Sequence, residues 1–549
     1  YPVPRLALRR WQKEALDAFE AASRRDFLAV ATPGAGKTTF ALTAAVRDLA
    51  RHPHRRVVVV TPTQHLKHQW SEAAASFGLH LESSWSSAEP FPADMHGVAV
   101  TYQQVAAAPK ALRGPSDDAF VVLDELHHAG AERAWGDGVA WAFEAAARRL
   151  ALSGTPFRSD TNPIPFVTYG PTDEQPWIEA DEAAPDHVYG YGDALRDGGV
   201  VRPVFFPRLG GQMEWTAPDG TAMSATFDDP LDRTGTSQRL RTALSPDGEW
   251  LPTVLDQAHE QLVRLREQQP DAGALAIAID REHAQAVARL LRQRHGVRPA
   301  VVTSDEADAS ERIAAFAASR EPWIVAVRMV SEGVDIPRLR VGVYATTTAT
   351  ELFFRQAVGR LVRWQAGQRR QKAFMFLPDD PRLRTYAAQL AESRTHSLRR
   401  REQDGDQPSV ELDQLDQAGG EDQLSLFQAI SATPLGGEAG GVFDDAHPED
   451  LIVDDATALT LEIELAAPPP LAGAGQQART LTVSRAQLKR EVRQENTDRV
   501  RMLTHLTGLT PEVVNARLNQ EVGISSISEA SLAQLQQRRR VADRWIDRA

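Results

Sequence analysis

Short runs that are apolar at every position alternate, in the N-terminal part of the chain, with longer stretches whose apolar residues recur every three or four positions. The runs Phe27–Ala31, Arg56–Val60, Gly97–Thr101, Phe120–Leu123 and Leu150–Ser153 predict strands. Thr38–Arg51 and Leu66–Phe77 predict helices between them. A strand with no polar face has to be covered on both sides, so the pattern calls for a parallel sheet with helices packed against each face. A second set repeats the plan: Ala274–Ile279, Arg298–Thr303, Trp323–Val327, Arg340–Tyr344 and Lys372–Phe376. The fold class expected is therefore α/β, with two tandem parallel-sheet domains over 1–200 and 201–392. The junction from Asp160 to Trp250 is rich in Gly and Pro and yields no clear element.

The pattern changes after Ser393. Residues 404–455 are acidic, Gly-rich and without apolar periodicity, and read as largely disordered within a flexible linker over 393–457. A small, mainly helical region is expected over 458–549. It opens with two short alternating pieces, Leu459–Leu465 and Thr480–Val483, around a Pro-Pro-Pro and Gly/Ala segment. Ser484–Leu506, Pro511–Val522 capped by Thr510, and Glu529–Ile546 then read as helices. Leu532, Leu535, Ala542 and Trp545 fall on one face of the last.

Composition narrows this picture at three points. The 549 residues leave room for about three to four domains. The absence of cysteine excludes disulfides and cysteine-ligated zinc or iron–sulfur sites. No apolar run is long enough to span a bilayer and no export signal opens the chain, so a cytoplasmic location is expected. The net charge of −13 argues at first against a polyanionic partner. However, 14 of the acidic residues lie between Asp404 and Asp455, where there is no Lys or Arg; the rest of the chain carries 61 basic against 60 acidic residues. The overall acidity thus leaves local phosphate-binding patches open.

The candidate chemistry begins at Thr32-Pro33-Gly34-Ala35-Gly36-Lys37-Thr38-Thr39, which follows a strand and opens a helix. Glycines there let backbone N–H groups approach phosphates, and the helix N-terminus adds positive potential. Lys37 is expected to reach the outer phosphates and Thr38 to ligate magnesium. Asp124-Glu125-Leu126-His127 follows the Phe120–Leu123 strand. Asp124 is placed to hold the metal and Glu125 to deprotonate an attacking water. Far along the chain, Gln356-Ala357-Val358-Gly359-Arg360-Leu361-Val362-Arg363 suggests that a second domain completes the same site.

In their order these motifs resemble a superfamily 2 helicase or translocase of the DExH type, over roughly residues 8–365. The branch most similar includes XPB-like, UvsW-like and restriction translocases, through Glu332-Gly333-Val334-Asp335-Ile336-Pro337. The resemblance implies two RecA-like domains, ATP and magnesium as cofactors, and ATP hydrolysis. It assigns Gln12 to adenine recognition and Gly333 and Asp335 to the nucleotide side of the second domain. Gln356 would position water, while Arg360 and Arg363 would contact the outer phosphate. Thr61-Pro62 and Thr101-Tyr102-Gln103 resemble elements that grip one nucleic-acid strand. His127, Ser153 and Thr155 would link hydrolysis to strand movement.

DNA is the expected polymer by the same resemblance, bound without sequence preference because the contacts fall on its backbone. The pathways it leaves open are repair, replication and defence. A restriction motor that moves on duplex without unwinding, an RNA helicase, and an ATP-switched scaffold remain alternatives. Within the acidic linker, Gln423-Leu424-Ser425-Leu426-Phe427 resembles the short peptide by which bacterial proteins dock on the sliding clamp, with Gln423, Leu424, Leu426 and Phe427 as the binding residues. A larger repair or defence complex is the other partner expected.

Overall fold

The computed structural model describes residues 5–127, 133–155, 164–172, 175, 178–180, 182–217, 220–303, 309–327, 336–365, 367–368, 371–399, 428–434, 460–465, 467–470, 484–527 and 530–548. The chain builds two seven-stranded sheets in tandem, and the paired strands within each are parallel. The first runs Leu81–Glu82, Gly97–Thr101, Val57–Thr61, Phe120–Leu123, Arg148–Ser153, Asp26–Ala31, His187–Tyr189. The strand that precedes the phosphate loop therefore lies next to the one ending at Ser153. The second sheet runs Arg208–Leu209, Ala373–Pro378, Leu339–Ala345, Gly273–Ala278, Trp323–Val327, Ala300–Val302, with Val204–Phe205 also paired to Ala373–Pro378. Val57–Thr61, Phe120–Leu123, Gly273–Ala278 and Trp323–Val327 are buried at every position, as continuous apolar runs require of strands covered on both faces.

The two lobes are joined through a shared apolar cluster that includes Tyr189, Val200, Val201, Val204, Leu361 and Val362. Arg202 lies in the same region with no exposed surface. Its guanidinium donates to the carbonyls of Pro337 (2.6 Å) and Leu339 (3.2 Å), and its own N–H donates to Val362 O (2.8 Å). The connecting segment is in this way fixed to the inner end of the second sheet.

The junction that gave no clear pattern holds an antiparallel ribbon, Gly211–Thr216 with Ala222–Thr226, covered by helices Arg233–Ala243 and Trp250–Gln268. Its third strand, Gln428–Pro434, comes from the stretch expected to be disordered. Ala432, a small residue, is buried against the cluster that covers the ribbon. Glu249 N–H donates to Ala432 O at 3.0 Å and ties the strand to the start of the Trp250 helix.

The C-terminal alternating piece is a strand, Thr460–Glu464, paired antiparallel with Arg5–Arg9. Thr480–Val483 lies outside the described residues. Three helices follow, Arg485–Thr507, Pro511–Val522 and Leu532–Ile546. Ser484 and Ser531 cap the first and third by accepting from Gln487 N and Gln534 N. The third thus starts after Ser531 rather than at Glu529. Arg538, fully buried, donates to Asn519, Asn496 and Asn515, one partner or more from each of the other helices. Among the described residues no helix is long and apolar enough to cross a membrane.

Close packing of the first sheet leaves Gly97 no room for a side chain: a Cβ there would lie 1.7 Å from Val57 O. Gly97→Ala should therefore lower the melting temperature of the purified chain, with a cost on the order of 1–3 kcal/mol or more. A thermal melt equal to the parent would show that the two strands can separate without penalty.

Candidate active site

Five residues make the sharp turn between the Asp26–Ala31 strand and the Lys37–Arg51 helix. Gly34 (φ +83°) and Gly36 (φ +93°) adopt the left-handed conformation that other residues avoid. The carbonyl oxygens of this loop are taken up by the segment in front of it. Arg9 Nη1 donates to Gly34 O (2.9 Å) and Ala35 O (2.6 Å). Trp11 Nε1 donates to Ala35 O (3.0 Å) and Gln12 Nε2 to Gly36 O (2.8 Å). The Ala35 N–H is used within the turn, donating to Thr32 O at 3.1 Å, while the Gly36 and Lys37 amides, opposite the bound carbonyls of Ala35 and Gly36, are turned away from the clamp as a phosphate cradle needs.

Gln12, expected to read adenine, is buried, with its Oε1 accepting from Arg9 N at 2.8 Å. A Cβ at Gly36 would stand 2.6 Å from its Nε2. Gln12 in this structure shapes the loop. Pro33 and Ala35 lie on the same turn, with Ala35 fully buried, and Thr38 and Thr39 lie in the first turn of the helix that follows.

Glu125 is a non-glycine residue at φ +47°, a conformation costing about 1–2 kcal/mol. That strain turns its carboxylate toward the phosphate loop. Oε1 is 2.8 Å from Lys37 Nζ, and Oε2 accepts from Gly154 N at 3.0 Å. A Cβ at Gly154 would crowd Lys37 Nζ at 3.2 Å and touch Glu125 Oε1 at 3.5 Å. Burial pushes the Glu125 carboxyl up, but the Lys37 ammonium and then His127 outweigh it, and the group is held well below the usual carboxylate range. Asp124 goes the other way. Burial and the neighbouring Glu125 raise it, against Lys37 and a hydrogen bond from Trp70 Nε1 to Oδ2 (2.8 Å).

The second lobe reaches this site at three points. Gln356 Nε2 lies 3.1 Å from His127 Nε2. His127 Nδ1 lies 3.5 Å from Ser153 Oγ and 3.7 Å from Glu125 Oε2. Ser153 Oγ in turn donates to Thr155 O at 2.7 Å. A Cβ on Gly359 would fall 2.7 Å from Pro33 Cγ, so the end of the Glu351–Gly359 helix rests directly on the phosphate loop. Arg363 passes beside Gly34, its Cδ 3.5 Å from where a Cβ there would lie, and Arg360 stands at the C-terminal end of the same helix. A cavity of ≈ 530 Å³ opens alongside, bounded by Pro33 and Gly154 from one lobe and Arg355 and Gly359 from the other. Lys37, Asp124 and Glu125 do not line it. The side-chain constellation, rather than this hollow, therefore marks the candidate reactive centre.

Three residues expected on a nucleic-acid face are turned inward. Tyr102 is fully buried and its hydroxyl donates to Asp124 O at 3.0 Å. Thr61, also buried, donates to Thr63 O at 3.1 Å. Thr101 caps the Tyr102–Ala107 helix by accepting from Gln104 N. Their polar side chains complete local backbone bonding at the strand ends, and only Pro62 and Gln103 keep accessible surface. Gly333, Asp335, Gln423, Leu424, Leu426 and Phe427 lie outside the described residues.

Three contributors were not anticipated, Arg9, Trp11 and Trp70. Arg9 had a signal: a cation at the start of a helix opposes the helix dipole and needs acceptors to hold it there. Trp70, one apolar position in an amphipathic helix, had none.

Residues 5–158 match the family described as "Type III restriction enzyme, res subunit". Two curated relatives are similar over most of the chain. Uncharacterized protein Rv2917 of Mycobacterium tuberculosis is 48% identical over 399 residues, covering 72% of this chain. Uncharacterized protein ML1624 of Mycobacterium leprae is 47% identical over 397 residues, covering 71%. The match spans 65% of the length of each. A fragment of a putative HsdR subunit of a type I restriction enzyme from Vibrio vulnificus covers 70% of this chain and 67% of that one, at 16% identity and a TM-score of 0.48. That likeness carries no argument, and the architecture rests on the strand order given above, two tandem parallel sheets.

Within this architecture, the raised carboxyl of Asp124 has a consequence for stability. A carboxyl that is harder to ionise in the fold than in the unfolded chain costs nothing while protonated and costs most once pH has risen past both values. Asp124→Asn should therefore raise the melting temperature at neutral pH, by on the order of 1–3 kcal/mol, with the gain shrinking as pH is lowered toward about 4. Melting curves across that range, in buffer without nucleotide, check it; a gain that grows on acidification contradicts it.

Proposed function

We propose that this chain is an ATP-driven motor that moves along nucleic acid, with DNA as its polymer. The observation that carries the reading is the polar chain from Gln356 in the second lobe through His127 to Glu125 and Ser153 in the first. A hydrolytic base wired to the opposite lobe feels any change in lobe spacing. The matched family's description as a restriction enzyme subunit supports DNA over RNA.

The geometry suggests how the reaction is timed. Lys37 is the main charge holding Glu125 down, through a 2.8 Å ion pair. The terminal phosphate of ATP offers Lys37 several charged oxygens in place of one carboxylate. As the ammonium turns to the phosphate, the carboxylate loses its partner and its proton affinity rises. The base thus becomes competent only when substrate is seated. Gly154 N–H and His127 keep Glu125 oriented meanwhile. The oxygen donors Thr38 and Asp124 fit a magnesium ion, which would neutralise developing phosphate charge. No group of three or more His, Cys, Asp or Glu side chains converges as a metal site among the described residues, in keeping with an ion that takes its other ligands from phosphate and water. Arg360 and Arg363 are the candidates for contact with the outer phosphate from the second lobe. Pro62 and Gln103 are the side chains left to face a strand, so backbone groups would supply most of the grip.

Glu125→Gln should keep ATP binding and slow turnover by about 10²–10⁴-fold. ATP hydrolysis measured without polymer and with single-stranded, duplex and forked DNA and RNA tests the reading as a whole. Stimulation by RNA alone would replace the polymer, and near-parental turnover in Glu125→Gln would remove the base.

We further propose that Gln423–Phe427 docks on a bacterial sliding clamp, from the sequence of that segment alone. The double change Leu426→Ala with Phe427→Ala should abolish pull-down on the clamp, since pocket burial of one such side chain is worth about 2–3 kcal/mol. Undiminished capture would end the proposal.

A further inference from the structure

The strand that leads into the phosphate-loop clamp has its ladder partner near the other end of the chain. Arg5–Arg9 pairs antiparallel with Thr460–Glu464, in the register Leu6 to Ile463, Leu8 to Leu461 and Arg9 to Thr460. Among the described residues neither strand pairs with anything else. A lone five-residue strand has no independent stability, so the N-terminal strand depends on this partner. Ile463 packs against the apolar cluster that also contains Leu8, and Leu465, just past the strand, is buried in it.

The C-terminal side holds on to the first lobe further along. Pro468 packs on Gly78. Pro469 O accepts from His96 Nε2 at 2.9 Å, while His96 Nδ1 accepts from His80 N at 2.9 Å, so this ring is neutral with its proton on Nε2. Beyond, Ser484 N–H donates to the buried Glu82 (3.0 Å), and Arg490 donates to Ser84 O (3.2 Å) and pairs with Glu89. The helical module is therefore moored to the far edge of the first sheet, with one strand extended to the nucleotide site.

That strand ends opposite Arg9, whose guanidinium binds the carbonyls of Gly34 and Ala35. We propose that Thr460–Leu465 is a positioning element of the nucleotide site: it holds the Arg5–Arg9 strand in place, Arg9 holds the phosphate loop in its amide-forward shape, and release of the C-terminal strand weakens nucleotide binding. Arg9 and Thr460–Leu465 touch no reacting atom; they act through the loop. The C-terminal region is then coupled to ATP affinity through a covalent chain and a ladder. This inference rests on the phosphate loop being an ATP site.

The test uses the full chain and two variants. Thr460→Pro with Leu461→Pro places prolines at two exposed, consecutive positions, and because ladder bonds alternate, one of them removes a bonded N–H. Arg9→Gln leaves the ladder in place and removes the guanidinium. The readouts are KM for ATP, kcat at saturating ATP, ADP affinity by calorimetry, and hydrogen exchange of residues 5–9. In the proline variant the amides of 5–9 should exchange faster and KM and the ADP Kd should rise about tenfold, while kcat at saturation is kept. Arg9→Gln should show the same loss of ADP affinity, without the faster exchange. Parental ADP affinity in a proline variant whose 5–9 amides have become exposed overturns the proposal. If the proline variant does not fold, parental affinity in Arg9→Gln overturns it instead. A parent chain that binds no ADP overturns the nucleotide reading itself, and this inference with it.

Discussion

A loop that binds phosphate through its amide groups has to dispose of its carbonyl oxygens, and in this protein everything else is arranged around that need. Three consecutive carbonyls, those of Gly34, Ala35 and Gly36, are bound by Arg9, Trp11 and Gln12. Each peptide plane is rigid, so fixing its oxygen fixes its N–H. The cradle is therefore set by a segment that precedes it by some twenty-five residues, as the hydrogen-bond separations of 24 to 26 positions record. Neighbouring features are consistent with this ordering. Trp11 is stacked on Tyr189 at 5.1 Å, and Tyr189 belongs to the edge strand whose carbonyl accepts from Thr32 N. The clamp is thus itself braced by the side of the sheet where the chain leaves for the second lobe.

The opposite wall of the site is electrostatic. Lys37, Glu125 and Gly154 are close enough that a Cβ on Gly154 would stand 3.2 Å from Lys37 Nζ and in ordinary contact with Glu125 Oε1 at 3.5 Å. On the proposed reading, the ion pair keeps a base in its unreactive form with the same lysine that would serve the phosphate. Asp124 carries the complementary strain. It is held buried and ionisable beside another carboxylate, a placement that costs folding stability and gains its value only when a cation arrives.

How much of this was legible in the sequence depended on whether the signal was local. The strands at Gly97–Thr101, Phe120–Leu123 and Trp323–Val327 could be read to the residue, because a fully apolar run between polar flanks has one physical interpretation. Lys37, Asp124 and Glu125 could be singled out because phosphate and metal chemistry restrict the residue types that serve, and the structure brings Lys37 and Glu125 within 2.8 Å. The burial of Thr61, Thr101 and Tyr102 was not legible. Hydroxyls at strand ends suit both a bound polymer and the protein's own backbone, and the bonds these three make with backbone groups emerge only from the packing. The partners of Gln428–Pro434 and Thr460–Glu464 lie more than two hundred and four hundred residues away, and register between distant edges leaves no trace in either segment alone.

That last class of contact changes how the C-terminal region should be regarded. An acidic stretch followed by a basic helical tail invites the view of an appendage on a flexible tether. Yet two strands drawn from this region are built into the two lobes, one on each: Gln428–Pro434 against Gly211–Thr216 and Thr460–Glu464 against Arg5–Arg9. The chain between Pro434 and Thr460 reaches about 80–95 Å at 3.3–3.6 Å per residue of extended backbone. That reach leaves the separation of the two anchorage points unrestrained, so what ties the C-terminal region to the two lobes is the pair of ladders themselves.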